Sequence, residues 1–136
     1  MTDKINRDVR DYRSLKLHLA LKIVRQNVLV CGTYGSECPV MIDLEYTDQV
    51  GNRKHWLQGF YYLGDNSNLV PVLCVTCSSE PNQNHVQVQQ NTWYSFDSQD
   101  LISLLNKPTI INTLTVYAEG HTVESFVSEV ELQAGD

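Results

Sequence analysis

The residues with the clearest potential for chemistry are the aromatic side chains between Cys38 and Tyr62, in the stretch CPVMIDLEYTDQVGNRKHWLQGFYY. Exposed rings bind sugars by stacking against their C–H faces, while neighbouring amides and acids hold the hydroxyl groups. Side chains alternate across a strand, which places Trp56 and Gln58 on one face and Tyr61 on the other. The stretch therefore predicts either a ring-lined binding surface or part of the core.

Large rings in a domain of this size are more often buried than exposed. Burial is the interpretation favoured for Trp56, Phe60 and Tyr62. Tyr61 and Trp93 have polar or loop-like neighbours, so both are expected to be exposed. Gly59 lies among the rings, and a glycine within a strand often marks a bulge or the close approach of another group. The candidate ligand-binding residues are Trp93, Tyr61, Trp56, Gln58, His55 and His121.

The four cysteines form two unlike pairs, Cys31 with Cys38 and Cys74 with Cys77. The first pair is spaced too widely for a zinc knuckle, so a four-cysteine zinc site is not favoured. A redox Cys-x-x-Cys normally opens a helix, whereas SSEPNQN follows the second pair. Two interpretations stay open: buried free thiols, and disulfides, which require an oxidising compartment and, for the second pair, a turn.

The histidines show no metal-binding spacing. They are His18, His55, His85 and His121, and no two form an HxH or HExxH motif. His18 is expected on the wet face of the first apolar strand. His55 and His121 border predicted turns, where each could donate a hydrogen bond to a ligand or face solvent.

Two pairs of carboxylates share strand faces, Asp43 with Glu45 and Glu129 with Glu131. Paired carboxylates can hydrolyse glycosides, but on outward strand faces they more often form a solvated edge that prevents aggregation. The sequence has no GxSxG elbow and no phosphate-binding loop. The chain is therefore predicted to be no enzyme, with no catalytic residues.

Alternation of apolar and polar residues is the strongest structural signal in the chain. In SLKLHLALKI the apolar residues are Leu15, Leu17, Leu19, Leu21 and Ile23, which predicts a strand with one buried face. The aromatic stretch predicts a hairpin with its turn at 48–52, and HVQVQ, NTWYSF, TIINTLTVYA and VESFVSEVEL predict further strands. A short helix is expected with Asp97 as its cap and Asp100 three positions later, ending before Pro108. About seven or eight short strands indicate a β-sandwich or barrel.

Length and charge narrow the class of protein further. The chain has 136 residues and a formal net charge of −6, enough for one domain with one core. Nucleic-acid binding is not expected because the basic residues form no continuous stripe. No apolar run is long enough to cross a bilayer, and the polar start, MTDKINRDVRDYR, is unlike a secretory signal. Residues 1–13 are therefore interpreted as a polar lead-in or linker.

Several segments together resemble a jelly-roll domain of bacterial cell-envelope proteins, in the galactose-binding-like group. They are SLKLHLALKI, GSECPVMIDLEYTDQVGN, HWLQGFYY, NTWYSFDSQDL and INTLTVYAEGHTVESFVSEVELQ. That group includes carbohydrate-binding modules and the C-terminal domains of FecR-type sensor proteins. The resemblance implies an all-β fold: an antiparallel β-sandwich of jelly-roll type with one short helix, over residues 14–133, followed by a tail at 134–136.

The resemblance also implies a role. It predicts a non-catalytic accessory domain of a bacterial envelope or secreted protein, located in the cell envelope or outside the cell as part of a longer chain. The expected partner is carbohydrate or another protein, the alternative function being a spacer or oligomerisation domain without a small ligand. No cofactor is expected apart from a structural calcium ion that some relatives hold, for which Glu129 and Glu131 are the candidates.

Overall fold

The computed structural model describes residues 1–77, 81–119 and 122–135. Its elements, in chain order, are β1 (Thr2–Asp8), β2 (Ser14–Arg25), β3 (Val40–Thr47), β4 (Arg53–Tyr61), β5 (Val86–Gln87), β6 (Tyr94–Asp97), α1 (Leu101–Leu104), β7 (Ile110–Tyr117) and β8 (Glu124–Gly135). The strands form a five-stranded sheet in the order β1-β7-β3-β4-β5 and a three-stranded sheet in the order β6-β2-β8. Neighbouring strands are antiparallel except for β4 and β5, which are parallel. The predicted all-β, sandwich-like architecture with one short helix is confirmed.

The alternation in β2 builds the main core. Leu17, Leu19, Leu21 and Ile23 are fully buried, and Leu15 is nearly so. These side chains pack against apolar residues of the five-stranded sheet, among them Val40, Ile42, Leu44, Trp56, Phe60 and Leu114. Burying a large aliphatic side chain contributes about 1.5–3 kcal/mol, so this row is a major source of stability. The intervening polar residues of β2 remain on the outer face.

The first strand, β1, lies within residues 1–13, which the sequence predicts to be a polar lead-in or linker. It is an edge strand that pairs with β7, with Thr2 opposite Thr115 and Asp8 opposite Ile110. Ile5 is its one half-buried residue and the others are exposed. A strand held by backbone hydrogen bonds with so little burial has no apolar alternation to reveal it.

The predicted hairpin of β3 and β4 is present, with Val40 opposite Phe60 and Thr47 opposite Arg53. Asp48 closes the turn, because its backbone N–H donates to the Asn52 carbonyl over 2.8 Å and its carboxylate accepts from the Asn52 N–H over 2.9 Å. Gly51 adopts the positive φ of 92° that this turn requires.

The short helix α1 begins one turn later than its predicted cap. The N-cap residue is Asp100, whose carboxylate accepts from the Ile102 N–H over 3.1 Å and from the Leu15 N–H over 2.9 Å. The expectation that Asp97 caps the helix is wrong. Asp97 still belongs to β6, where it pairs with His18 across the sheet.

A second, smaller apolar cluster covers part of the outer face of the five-stranded sheet. Its buried members are Val30, Cys31, Cys38, Met41, Leu57 and Tyr61. Two disulfides lie in the loops of this region, Cys31–Cys38 and Cys74–Cys77, so the free-thiol interpretation does not hold in this structure. Strand β4 is thus covered on both faces near its end, as its apolar composition indicates.

Candidate functional site

Two of the predicted ligand-binding residues, Trp56 and Gln58, are buried in the sandwich and face no solvent. The Trp56 indole N–H donates to the Gln83 side-chain oxygen over 2.7 Å. The Gln58 amide donates to the backbone carbonyls of Asn84 and Gly59 over 3.1 and 3.2 Å. Both side chains therefore donate their N–H groups to partners within the protein, and the burial favoured for Trp56 is confirmed.

The expectation that Tyr61 is exposed is wrong, since only 7% of it is accessible. The loops that carry the disulfides cover it on the outer face of the five-stranded sheet. The sequence contains no local sign of this covering, because the residues that bring it about lie far from Tyr61 along the chain.

His55 lies on the same outer face, beyond the covered part, and is half-exposed. Its Nδ1 is 2.7 Å from an Asp43 oxygen, and its Nε2 is 3.6 Å from a Glu45 oxygen. Arg53 reaches Glu45 over 3.1 Å. His55 thus belongs to a local charge network rather than to a group of rings. His121 lies outside the described residues.

Glu129 and Glu131, the calcium candidates, both lie on the exposed outer side of β8. A Glu129 oxygen is 3.6 Å from His18 Nε2, and Glu131 accepts a hydrogen bond from the Gln133 amide over 3.3 Å. The protein therefore directs one of these carboxylates toward a histidine and the other toward an amide. Neither belongs to the group of described residues whose ligand atoms converge as a metal site would require.

Trp93 is the predicted ring that reaches solvent, with 52% of it exposed. It belongs to a surface that we call the Trp93 face, the outward side of the three-stranded sheet. Its members are Trp93, Ser95 and Asp97 from the β6 segment, His18, Ala20 and Lys22 from β2, and Phe126, Ser128 and Glu129 from β8.

Lys22 lies between two exposed rings at one end of this face. Its ammonium is 5.3 Å from the centre of the Trp93 ring and 5.4 Å from the centre of the Phe126 ring. Phe126 is itself 48% exposed and pairs directly with Lys22 across the strands. Cation–π contacts at exposed sites contribute about 0.5–1 kcal/mol each, so the lysine helps to hold the rings in place.

The middle of the Trp93 face has small side chains. Ala20 is paired with Ser95 on one side and with Ser128 on the other. These three small side chains form a flat area between the rings at one end of the face and the polar group around His18 at the other. A flat ligand could lie across it without displacing a large side chain.

The polar end of the face is centred on His18. Its Nδ1 lies 2.8 Å from an Asp97 oxygen and its Nε2 faces Glu129. The hydrogen bond to Asp97, followed by the weaker influence of Glu129, raises the pKa of His18 above its ordinary value. This end therefore offers two carboxylates and a histidine that is more readily protonated than a free one.

A turn anchored to β2 positions Trp93. The Asn91 N–H donates to the Ile23 carbonyl over 2.8 Å, and the Gln90 amide donates to the Val24 carbonyl over 2.9 Å. Asn91 takes a positive φ of 57°, a conformation that asparagine tolerates better than most residues. The turn at Gln90 and Asn91 is therefore fixed to β2, and it places the Trp93 ring on the surface of the sheet.

A second candidate is a cleft of about 390 Å³ at the loop end, between the β3–β4 turn and α1. The Gln49 amide at this cleft already donates to the Asn106 carbonyl over 2.8 Å. The Asp48 carboxylate is occupied by the backbone of its own turn, chiefly the Asn52 N–H, which lowers its pKa. Tyr46, the ring in the lining, is buried. Gln49 and Asp48 therefore already make hydrogen bonds within the protein, which leaves them less available to a ligand.

Sequence reasoning identified Trp93 but missed its partners, Lys22 and Phe126. They are far apart along the chain, and only the pairing of β2 with both β6 and β8 brings them together. The one available signal was parity, because Lys22 lies on the wet side of an otherwise apolar strand.

No described helix has both the length and the apolar composition needed to span a membrane. Comparisons with protein-family models, with curated proteins and with solved structures find no match to this chain.

Proposed function

We propose that the protein is a non-catalytic carbohydrate-binding domain and that the Trp93 face is its binding surface. The observation that carries the proposal is the pair of half-exposed rings on either side of Lys22. Rings fixed at a sheet surface can stack on a sugar, and the lysine ammonium can donate to its hydroxyl groups.

The remainder of the face supports the same role. The floor of Ala20, Ser95 and Ser128 leaves room for a second sugar unit beyond the rings. At the far end the carboxylates of Asp97 and Glu129 can accept hydrogen bonds from hydroxyl groups. An elongated glycan would therefore meet rings first and carboxylates last. This arrangement supports the proposed carbohydrate-binding role.

The two disulfides support a location in the cell envelope or outside the cell. Disulfides persist in oxidising compartments and are uncommon in the cytosol. An accessory domain of a secreted or envelope protein would fold in such a compartment. The domain would then hold its parent chain close to a polysaccharide without altering it chemically.

The test is retention on a glycan array and on immobilised polysaccharides. Trp93→Ala is expected to weaken binding to any retained glycan about tenfold, which corresponds to about 1.4 kcal/mol, and Phe126→Ala is expected to weaken it by a smaller factor. The matched control is Tyr34→Ala, which removes an exposed ring from a loop on the other sheet. Binding that survives both substitutions on the Trp93 face would refute this assignment.

The alternative is a protein-interaction or spacer domain, and the open sheet edges favour it. Strands β1 and β8 each lie at the end of their sheet's strand order. An exposed edge can pair with a strand of another chain, although the glutamates of β8 oppose such pairing. Absence of retention on every glycan, with the native fold intact, would favour this alternative.

A further inference from the structure

Cys31, Cys38 and His85 form a buried cluster separate from the Trp93 face. The two sulfur atoms and a ring nitrogen of His85 all lie within 4.8 Å of one another. The cysteines have no exposed surface, and His85 is 7% exposed. The two sulfurs are joined in the Cys31–Cys38 disulfide, whereas ligand atoms around a single zinc ion are separated by about 3–4 Å. Reduction would free the sulfurs to move apart while His85 stays next to them.

The ring of His85 is oriented as a metal ligand would be. Its Nε2 lies 2.7 Å from the Gly35 carbonyl oxygen, which can only accept, so Nε2 carries the proton and donates it. Nδ1 therefore presents its lone pair, and it is the buried side-chain polar atom without a hydrogen-bond partner in the described part of the chain. Metal-binding histidines commonly donate their other N–H to a backbone carbonyl in this way.

Gly59 shows which ring atom faces the sulfur. A methyl group built on this glycine would collide with both Cys38 Sγ and His85 Nδ1. Nδ1 and the sulfur therefore converge over the same point of β4, where the absence of a side chain leaves room for both.

A buried lone pair without a partner is destabilising, and the two disulfide sulfurs carry no proton that they could donate to it. Two thiolates and a neutral imidazole, by contrast, are a ligand set that Zn²⁺ prefers. We propose that Cys31, Cys38 and His85 bind one Zn²⁺ ion in the reduced chain, and that the disulfide and the zinc site are alternative states of the same cluster.

Conversion of the disulfide to the zinc-bound state takes two steps. A water-soluble phosphine reduces the disulfide, taking one oxygen from water to become the phosphine oxide and leaving two thiols. Zn²⁺ then displaces the two thiol protons and takes the Nδ1 lone pair. This site is independent of the proposed glycan binding and involves no residue of the Trp93 face.

The experiment compares reduced chains. Each chain is denatured, reduced with phosphine, desalted under nitrogen and refolded with or without Zn²⁺, and affinity is measured by competition with a chromophoric chelator. We expect one zinc ion per chain in the wild type and in C74S/C77S, which removes the other cysteine pair. We expect at least a tenfold loss of affinity in C31S/C38S and in H85Q, and no change in the control H55Q.

A spectroscopic readout keeps the test decisive where a variant folds poorly. With Co²⁺ in place of Zn²⁺, the charge-transfer absorption of the wild type should indicate two thiolates rather than four. Zinc binding that C31S/C38S leaves intact, or that H85Q does not weaken, would overturn the proposal. The proposal would also be overturned if the reduced wild-type chain folded equally well with and without added Zn²⁺ and bound none of it. A structural zinc site supplies folding energy, so zinc should improve folding.

Discussion

At the scale of single residues, His18 is a titratable group whose protonation is favoured by its neighbours. It lies on the solvent side of β2 with Asp97 hydrogen-bonded to one ring nitrogen and Glu129 near the other. Both neighbours favour the protonated ring, and the hydrogen bond to Asp97 has the larger effect. His18 thus couples the polar end of the Trp93 face to pH.

We predict that His18 titrates above its ordinary pKa of about 6.5. A pKa that is higher in the folded state means that folding binds a proton. The stabilising contribution of His18 is therefore complete below about pH 6.5 and is lost as the pH rises through the folded-state pKa. NMR titration of the four histidine rings measures this directly.

Two variants test the cause of the shift. Asp97→Asn should return the pKa of His18 most of the way to its ordinary value, because the asparagine carries no charge. Asp8→Asn is the control, since Asp8 pairs with Arg10 on β1 at the edge of the other sheet. An unchanged His18 pKa in Asp97→Asn would mean that the contact does not persist in solution.

The residue scale also shows what sequence can and cannot predict. The burial of Leu17 and Leu19 follows from parity alone, and so does the solvent-facing position of His18. The burial of Tyr61 does not, because parity gives the face of a strand but not what covers that face. Tyr61 lies on the outer face, and its cover comes from loops whose path is set by contacts distant in sequence.

At the scale of elements, one buried amide connects the end of β2 to the end of β4. The Gln26 oxygen accepts from the N–H groups of Tyr62 and Leu63 over 2.8 and 3.3 Å. Its nitrogen donates to the carbonyls of Val28 and Val30 over 2.7 and 3.1 Å. A single side chain therefore satisfies four backbone groups where two loops meet.

We predict that Gln26→Ala lowers the free energy of unfolding by about 2–4 kcal/mol, because buried backbone groups would lose their partners. Gln49→Ala is the matched control. It removes the same amide from an exposed site with one hydrogen bond, to Asn106, and should cost about 0.5 kcal/mol or less. Urea denaturation of both variants gives the comparison, and equal losses would show that the Gln26 network is not a special source of stability.

Whether an element could be predicted from the sequence depends, as for single residues, on whether it has a regular buried face. The hairpin and β2 were predictable because each has a buried face and a recognisable turn. Strand β1 was not predictable, because all its residues are exposed except the half-buried Ile5, and its sequence therefore has no apolar alternation. The helix was found but its cap was displaced, since Asp97 and Asp100 are equally good caps by residue type and only the extent of β6 decides between them.

At the scale of the whole molecule, the disulfides lie outside the main core. That core is built from the inner faces of the two sheets and contains no cysteine among its described residues. Both disulfides close short loops, with sequence separations of 7 and 3. In the chain-entropy model such loops contribute about 2 kcal/mol each.

We predict that removing either disulfide weakens the fold without abolishing it. C74S/C77S and C31S/C38S should each lower the free energy of unfolding by about 2 kcal/mol while keeping the β-sheet circular dichroism spectrum. Urea denaturation of the oxidised proteins supplies the values. Loss of a cooperative transition in either variant would mean that the sandwich depends on its outer loops.

Strand β8 contains a β-bulge, because Glu129 and Val130 both lie opposite Leu19 of β2. Val127 and Val130 both pack toward the main core although they are three positions apart, because the register shifts between the pairs of His18 and Ala20, where Glu129 takes a positive φ of 55°. Because of the extra residue, the odd-numbered position Val127 faces the core before the bulge, and the even-numbered positions Val130 and Leu132 face it after the bulge. In a chain shorter by that one residue, one half of the strand would be turned over. Either Val130 and Leu132 would point into water while Glu131 and Gln133 faced the core, or Val127 would point into water while Phe126 and Ser128 faced the core.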